Sequence, residues 1–506
     1  MLARVTSAVL IGIQALPIHV EVDVGPGLPG CHIVGLPDAG VKEGRVRIRG
    51  ALENSGFKLP SRRTIVNLAP ADLRKDGAAF DVPIAIGMLC AAGVVDSAAL
   101  EDCLFVGELA LDGSVRPVRG VLPIAAWARA QGMRRLFVPR ANQREATVVS
   151  GDCVVEPVSA LSDVVSHLRG EPVAETVGAL DPIDTSAVVA APPDLSDVRG
   201  QEVARRALEL AAAGGHNLLF VGPPGSGKTM LARRLPGILP TLSFDEALET
   251  TMVYSVAGLL GGRALITERP FRAPHHTVTT AGMVGGGPSV RPGEITLAHH
   301  GVLFLDELLE FSRPVLEALR QPLEERTVSL VRARRNVTYP ADFMLVAALN
   351  PCPCGHLGST LRTCTCSVSG IARYRSRLSG PLLDRIDMHV DVPAVRYGEL
   401  AAAAPGEPTA PVRARVEEAR ERQRRRGPRS NARLTASELD DVAPIDTDGH
   451  RLLERAVERL GLSARAVSRV RRVARTIADL EGTDRIRNVH LAEALQYRLL
   501  DRPIDP

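Results

Sequence analysis

The sequence predicts a multidomain α/β protein, and three observations carry that prediction. A strand–loop–helix unit stands near the middle of the chain: the apolar run HNLLFV (216–221), the loop GPPGSGKT (222–229) and the helix-forming MLARRL (230–235). Two further apolar strands follow it, GVLFLDE (301–307) and ADFMLVAALN (341–350). The final third then changes period: RLLERAVERLG and SARAVSRVRRVARTIADL repeat apolar residues at the 3.6-residue spacing of helices.

At 506 residues the chain has room for about three domains of roughly 100–200 residues each. Hydrophobic residues make up 45% and charged residues 24%, an ordinary globular balance. Aromatics are only 3%, so the cores have to be built from Val, Leu, Ile and Ala. A net charge of +3 is compatible with nucleic acid without requiring it, so local charge matters more than the total. The opening MLARVTSAVLIGIQALPIHVEV is faintly like a secretion signal, but Gln14, His19 and Glu21 interrupt it, and alternation over 18–24 predicts a strand. The longest apolar stretch, 82–95, contains Pro83 and two glycines and falls short of the roughly 18 residues a membrane span needs. The expectation is a cytoplasmic protein with reduced thiols and no membrane partner. Stretches rich in Pro, acidic and small residues mark boundaries at 170–194 and 401–412. They divide the chain into 1–169, a linker at 170–194, a core at 195–395 and a helical part at 396–506.

GPPGSGKT fits G-x-x-x-x-G-K-[ST] in full. Its loop residues Gly222, Pro223, Pro224, Gly225, Ser226 and Gly227 bring backbone N–H groups to phosphate oxygens at a helix N-terminus. Lys228 then reaches the terminal phosphates and Thr229 ligates magnesium. In GVLFLDE, Asp306 completes the magnesium shell and Glu307 polarises the attacking water. Asn350 ends the next strand, at the position of the polar sensor of ring ATPases. The pattern predicts an ATPase that uses ATP and Mg²⁺.

With RAPHHT (272–277), PGEITLAHHGVLFLDELLEF (292–311), LNPCPCG (349–355) and SGPLLDRIDMHV (379–390), the chain resembles the magnesium-chelatase-like AAA+ ATPases of the ComM/YifB subfamily, over essentially its whole length. The resemblance implies a homohexameric ring with nucleotide between protomers. It makes Arg385 the arginine finger toward a neighbour, with Arg377 a weaker candidate, and Arg465 the second sensor. The first part resembles a Lon-protease domain of α+β fold, followed by the AAA+ P-loop core and a helical C-terminal lid. In its KDGAAFD (75–81), however, Ala79 stands where the nucleophilic serine would be, and the partner lysine would fall near Leu122. Neither reacting atom is present, so no peptidase activity is expected.

Three features bear on what such a motor moves. Residues 324–343 alternate like a hairpin, with Arg332, Arg334 and Arg335 near its turn, where phosphates would be met without sequence reading. A glycine-rich segment, 280–294, suggests a flexible channel loop, and an arginine cluster spans 413–429. Together they favour DNA, single-stranded, duplex or branched. The resemblance adds a branch-migration helicase of homologous recombination and natural transformation, with recombination proteins as possible partners. The alternatives are the motor subunit of a metal chelatase and a protein-remodelling ATPase.

Four of the eight cysteines lie in CPCGHLGSTLRTCTC (352–366). Residues two apart in an extended segment share a face, so Cys352, Cys354, Cys364 and Cys366 are candidates for a structural Zn²⁺ site, with His356 able to replace one sulfur and four inert thiols as the alternative. Standing between Asn350 and Arg385, such a site would fix the segment that aims the finger. The pairs His275–His276 and His299–His300 have no carboxylate at ligand spacing in the sequence, so local hydrogen bonding is expected of them.

Overall fold

The computed structural model describes residues 2–58, 61–172, 193–287, 290–332, 335–359, 362–396, 398, 401, 403–498 and 500. The bulk of the linker expected at 170–194, and Arg334 of the hairpin, lie outside the described residues, as do the side chains of Arg332 and Arg335.

The apolar opening is a strand, Leu2–Ile11, paired antiparallel with Gln14–Gly25 from Leu2↔Asp23 to Ile11↔Gln14. These two lie central in a seven-stranded sheet ordered Gly30–Val34, Arg63–Ala69, Gln14–Gly25, Leu2–Ile11, Cys103–Phe105, Arg135–Pro139, Val154–Val158. Alternation puts Val5, Ile18, Val20 and Val22 into one core with the helix Asp81–Ala91, every residue of which is buried. That burial accounts for the apolar stretch at 82–95. Among the described residues no helix is long and apolar enough to cross a membrane.

The second sheet is parallel, in the order Phe271–Arg272, Val302–Leu305, Met344–Leu349, Leu218–Val221, Met388–Asp391. Parallel strands covered on both faces read as unbroken apolar runs, and VLFL and LLFV are such runs. Leu218, Phe220, Phe304, Val346 and Val390 face the helix Glu202–Gly214 and the C-terminal helices. Leu219, Val221, Leu303, Leu305 and Leu345 face a separate core with Leu316, Leu319 and Ile386. Because the strands run one way, their carboxyl ends all open on one edge, where ligands of such sheets collect.

The C-terminal part is helical: Thr409–Arg426, Ala436–Val442, Thr447–Leu460, Ala464–Leu480 and Asn488–Gln496. The first of these begins inside the boundary expected at 401–412 and holds most of the arginine cluster. Its arginines are largely engaged within the chain. Arg415 pairs with Glu209 and Glu407, Arg422 with Glu418, Arg426 with Asp479, and Arg429 with Glu438 beyond the helix end. Arg415 thus ties this helix to the core and Arg426 ties it to a neighbouring helix, while Arg424 and Arg425 pair, among the described residues, only with Glu421 of the same helix and stay exposed. The 324–343 hairpin forms as Thr327–Arg332 and Arg335–Pro340, in register from Thr327↔Pro340 to Arg332↔Arg335. Val337 and Tyr339 at its base pack against Ile11 and Ile13 of the first part. Part of the glycine-rich segment is an ordered ladder and not a free loop, since Gly285–Gly286 pairs with Arg291–Pro292.

Candidate nucleotide site

The loop after Leu218–Val221 turns into the helix Lys228–Ala232 through Gly227 at φ 94°, a left-handed conformation that a side chain would resist. Lys228 is buried and donates from Nζ to the carbonyls of Gly222 (2.6 Å) and Pro223 (2.9 Å) and to Asn350 Oδ1 (3.3 Å). Burial pushes its ammonium below the ordinary lysine value, against the pull of Asp306 and Glu307. Thr229 donates from Oγ1 to Asp306 Oδ2 at 2.6 Å. A hydroxyl and a carboxylate so placed are the oxygen donors a magnesium ion takes beside substrate phosphates. Glu307 follows at φ 51°, its N–H bonded to Asp306 Oδ1 at 3.0 Å. That turn separates the two carboxylates: one faces Thr229 while the other is 58% exposed. Lys228, Thr229, Asp306, Glu307 and Asn350 thus gather at the carboxyl edge, from three adjacent strands.

Two neighbours escaped sequence reasoning. His276 lies tilted against His275 (centroids 4.0 Å apart) and brings Nδ1 to 3.9 Å from Glu307 Oε2. Gln201 donates from Nε2 to Pro393 O (2.8 Å) and Ser226 O (3.3 Å), bracing the loop from behind. The His residues of RAPHHT were the available signal; nothing in the sequence marked Gln201.

The His299–His300 pair does have a carboxylate, Glu249, brought in from helix Phe244–Ala257, which corrects the sequence reading. Its Oε2 lies 3.2 Å from His299 Nε2 and 2.8 Å from His300 Nε2. The N–H of Asp342 donates to His299 Nδ1 at 3.0 Å, so the ring proton sits on Nε2 and points at Glu249. That tautomer leaves His299 no free lone pair for a metal, although the ligand atoms of Glu249, His299 and His300 lie within 4.8 Å of one another. The hydrogen bond from His299, reinforced by His300, pulls the Glu249 carboxyl down to about 2.

The four cysteines converge. Cys352 Sγ is 3.4 Å from Cys354 Sγ and 3.6 Å from Cys364 Sγ, and the four sulfurs lie within 4.8 Å of one another. A tetrahedral zinc ion with bonds of about 2.3 Å spaces its sulfurs about 3.8 Å apart, close to this arrangement. Backbone N–H groups point at the sulfurs: Leu357 to Cys352 and Cys354 to Cys366, both at 3.3 Å. His356 is not among the converging ligands. The cluster also lies nearer the phosphate loop than the sequence suggested. Gly355, at φ 80°, sits so close to Pro224 that a Cβ there would be 2.6 Å from Pro224 Cδ.

The two arginines of the resemblance stand at the other end of the strands. Asn217 and Asp387 directly precede Leu218–Val221 and Met388–Asp391, and with them Arg385 and Arg465 line a cavity of about 410 Å³. Arg385 is held there by Glu324 Oε1 and the carbonyl of Pro381, each at 2.5 Å. Arg377 is elsewhere, exposed and 3.4 Å from Glu310. Within one chain, then, the strands' length separates these arginines from Lys228.

Comparison with known proteins agrees with this architecture. A family profile described as magnesium chelatase, subunit ChlI, matches residues 194–400. Profiles described as subunit ChlI of Mg-chelatase and as magnesium chelatase, subunit ChlI C-terminal, match 20–142 and 406–498. The chain is 45% identical over 504 residues to the uncharacterized protein YifB of Escherichia coli strain K12, covering 99% of this chain and 98% of that one. It is 46% identical over 506 residues to the competence protein ComM of Haemophilus influenzae, with the same coverage. To the uncharacterized protein Rv2897c of Mycobacterium tuberculosis it is 44% identical over 503 residues, 98% of each.

Proposed function

Because this chain belongs to the ComM/YifB subfamily of magnesium-chelatase-like proteins, we propose that it is an ATP-hydrolysing AAA+ ring motor that moves DNA. The observation that carries the ATPase reading is the meeting of Lys228, Thr229, Asp306 and Asn350 at one sheet edge, linked by bonds of 2.6–3.3 Å. Lys228 and the 222–227 loop hold the phosphates, and Thr229 and Asp306 hold the magnesium. Glu307 orients a water for attack on the terminal phosphorus as the bond to the bridging oxygen breaks and ADP leaves. Asn350, touching Lys228, reports the terminal phosphate. Arg385 and Arg465, at the far edge, serve the nucleotide of the next protomer, which makes the active unit a ring, a homohexamer by the family resemblance.

The DNA part rests on the arginine-tipped hairpin and on a full-length relative named a competence protein; branch migration in recombination follows from that likeness. A chelatase motor or a protein-remodelling ATPase would use the same engine. We divide the chain into a first part at 1–169, with a Lon-like shape but no dyad, a core at 195–395 and a lid at 396–506. Separate sheets and separately matched segments support that division. The cysteine cluster is assigned to one structural zinc.

Kinetics of single variants test the engine. Lys228→Ala loses ATP binding or turnover, and Glu307→Gln binds ATP and stalls. Arg385→Ala lowers turnover by about 10³–10⁵-fold, the range of fingers supplied by a neighbour. Normal hydrolysis by Arg385→Ala would remove the finger assignment; ATPase unaffected by any DNA, single-stranded, duplex or branched, would favour the other substrates.

A further inference from the structure

The cavity at the amino edge of the parallel sheet holds more guanidinium groups than a single finger and a single sensor need. Arg326, Arg385, Arg433, Arg465, Arg469 and Arg472 line it. Three of them have carboxylate partners within the chain: Arg385 with Glu324, Arg433 with Asp342 and Arg469 with Asp387. Among the described residues Arg326, Arg465 and Arg472 have none. The Arg326 side chain makes no hydrogen bond there, and Arg472 gives only one, from Nη2 to Leu434 O at 2.6 Å. The Nε atoms of Arg385, Arg469 and Arg472 are buried donors with no acceptor. Buried donors without partners are costly, so three of them within one arginine cluster call for an explanation.

We propose that this cavity receives the terminal phosphates of a nucleotide held by a neighbouring copy of the chain, with Arg326 and Arg472 as phosphate-contacting residues alongside Arg385. The inference rests on the ring reading above and extends its shared site from two arginines to four. Phosphate oxygens are the acceptors that planar guanidinium forks match in pairs. Burial, followed by the nearby charge of Arg433 and opposed by Asp342, pushes Arg326 down to about 10. Glu324, Asp342, Asp384 and Asp387 line the cavity too, three of them engaged by Arg385, Arg433 and Arg469. At about 410 Å³ the space suits a phosphate chain, whereas a nucleic-acid strand needs a groove that runs on. The chain's own nucleotide lies at the opposite end of the strands, so the phosphate has to come from a second copy. Arg326 also directly precedes Thr327, the first residue of the hairpin. A phosphate gripped by Arg326 is therefore felt at the hairpin base.

Mixed-ring complementation tests this. Arg326→Ala and Arg472→Ala proteins, each with an unchanged melting temperature, are assayed alone and mixed with Lys228→Ala protomers, whose own site is dead but whose arginines are intact. Alone, each should bind a fluorescent ATP analogue within about twofold of wild type and turn over about 10²-fold more slowly, the usual cost of one donor to developing charge. Mixing should restore turnover in both. Arg472→Lys, which keeps the charge if the alanine variant unfolds, should retain partial activity that mixing raises. Rescue of Arg385→Ala but not of the Arg326 and Arg472 variants overturns this inference and leaves the shared site standing. Failure to rescue Arg385→Ala overturns the shared site itself. Wild-type turnover by both single variants also overturns the inference.

Discussion

Asp387 shows how one side chain ties the nucleotide core to the helical part. It is buried at the start of Met388–Asp391, accepts from the N–H of Asn217 at 2.8 Å, pairs with Arg469 of the helix Ala464–Leu480 and lies 3.8 Å from His216 Nδ1. Burial alone would raise its pKa, but Arg469, His216 and the Asn217 amide outweigh it and hold the carboxyl well below the usual range. A carboxyl whose folded pKa is depressed adds stability above its unfolded value, about 4, and loses it as pH falls from there toward the folded value. Asp387→Ala strands the buried Arg469 charge and should cost about 3–5 kcal/mol at neutral pH. In urea titrations the gap between variant and wild type should narrow as pH drops below about 4; a gap constant from pH 7 to 3 would mean that Asp387 acts through packing and not through charge. The family resemblance of SGPLLDRIDMHV singled out Arg385, but nothing in that stretch showed that the acid two residues later anchors the helical part.

At the scale of elements, the sequence was most legible where one local rule decides. The full phosphate-loop signature, the acid pair ending an apolar strand and the hairpin alternation at 324–343 each became the expected element. Partners brought in from distant segments were not legible. Glu249 reaches His299 and His300 from 50 and 51 residues away, and Gln201 reaches Pro393 across 192. The arginines of Thr409–Arg426 looked free because their acids, Glu209 and Asp479 among them, lie on other helices. The four sulfurs of the cysteine segment converge, and only the fold sets Gly355 of that segment against Pro224. That contact shapes what zinc should do. Protein purified without chelators should hold about one zinc per chain, and Cys364→Ser with Cys366→Ser should release it. With the cluster unpinned, Gly355 no longer supports the phosphate loop, so ATP affinity should weaken severalfold together with shared-site hydrolysis. Metal-free protein with wild-type ATP affinity would leave the four thiols without a structural role.

For the molecule as a whole, the described residues of the first part meet the nucleotide core along helix Phe244–Ala257 and at the hairpin. Gly120 donates to Ser255 O (3.1 Å) on helix Phe244–Ala257, and Ile11 and Ile13 pack under the hairpin at Val337 and Tyr339. The hairpin is thus braced from the first part and entered through Arg326 at the cavity edge, and its strand register ends at Arg332↔Arg335. A net charge of only +3 gives the chain little general attraction for nucleic acid, so binding should depend on such local groups. Affinity for single-stranded, duplex and branched DNA of unrelated sequence should vary little with base composition. It should fall steeply with salt, because each phosphate neutralised releases condensed counterions. Replacing Arg332, Arg334 and Arg335 together by Ala should flatten that salt slope and reduce strand exchange and DNA-stimulated ATPase. Basal ATPase should stay near wild type, since the engine lies at the carboxyl edge of the parallel sheet. Strand exchange and salt slope both unchanged in the triple variant would reject the hairpin as a DNA contact and direct attention to other surfaces of the protein.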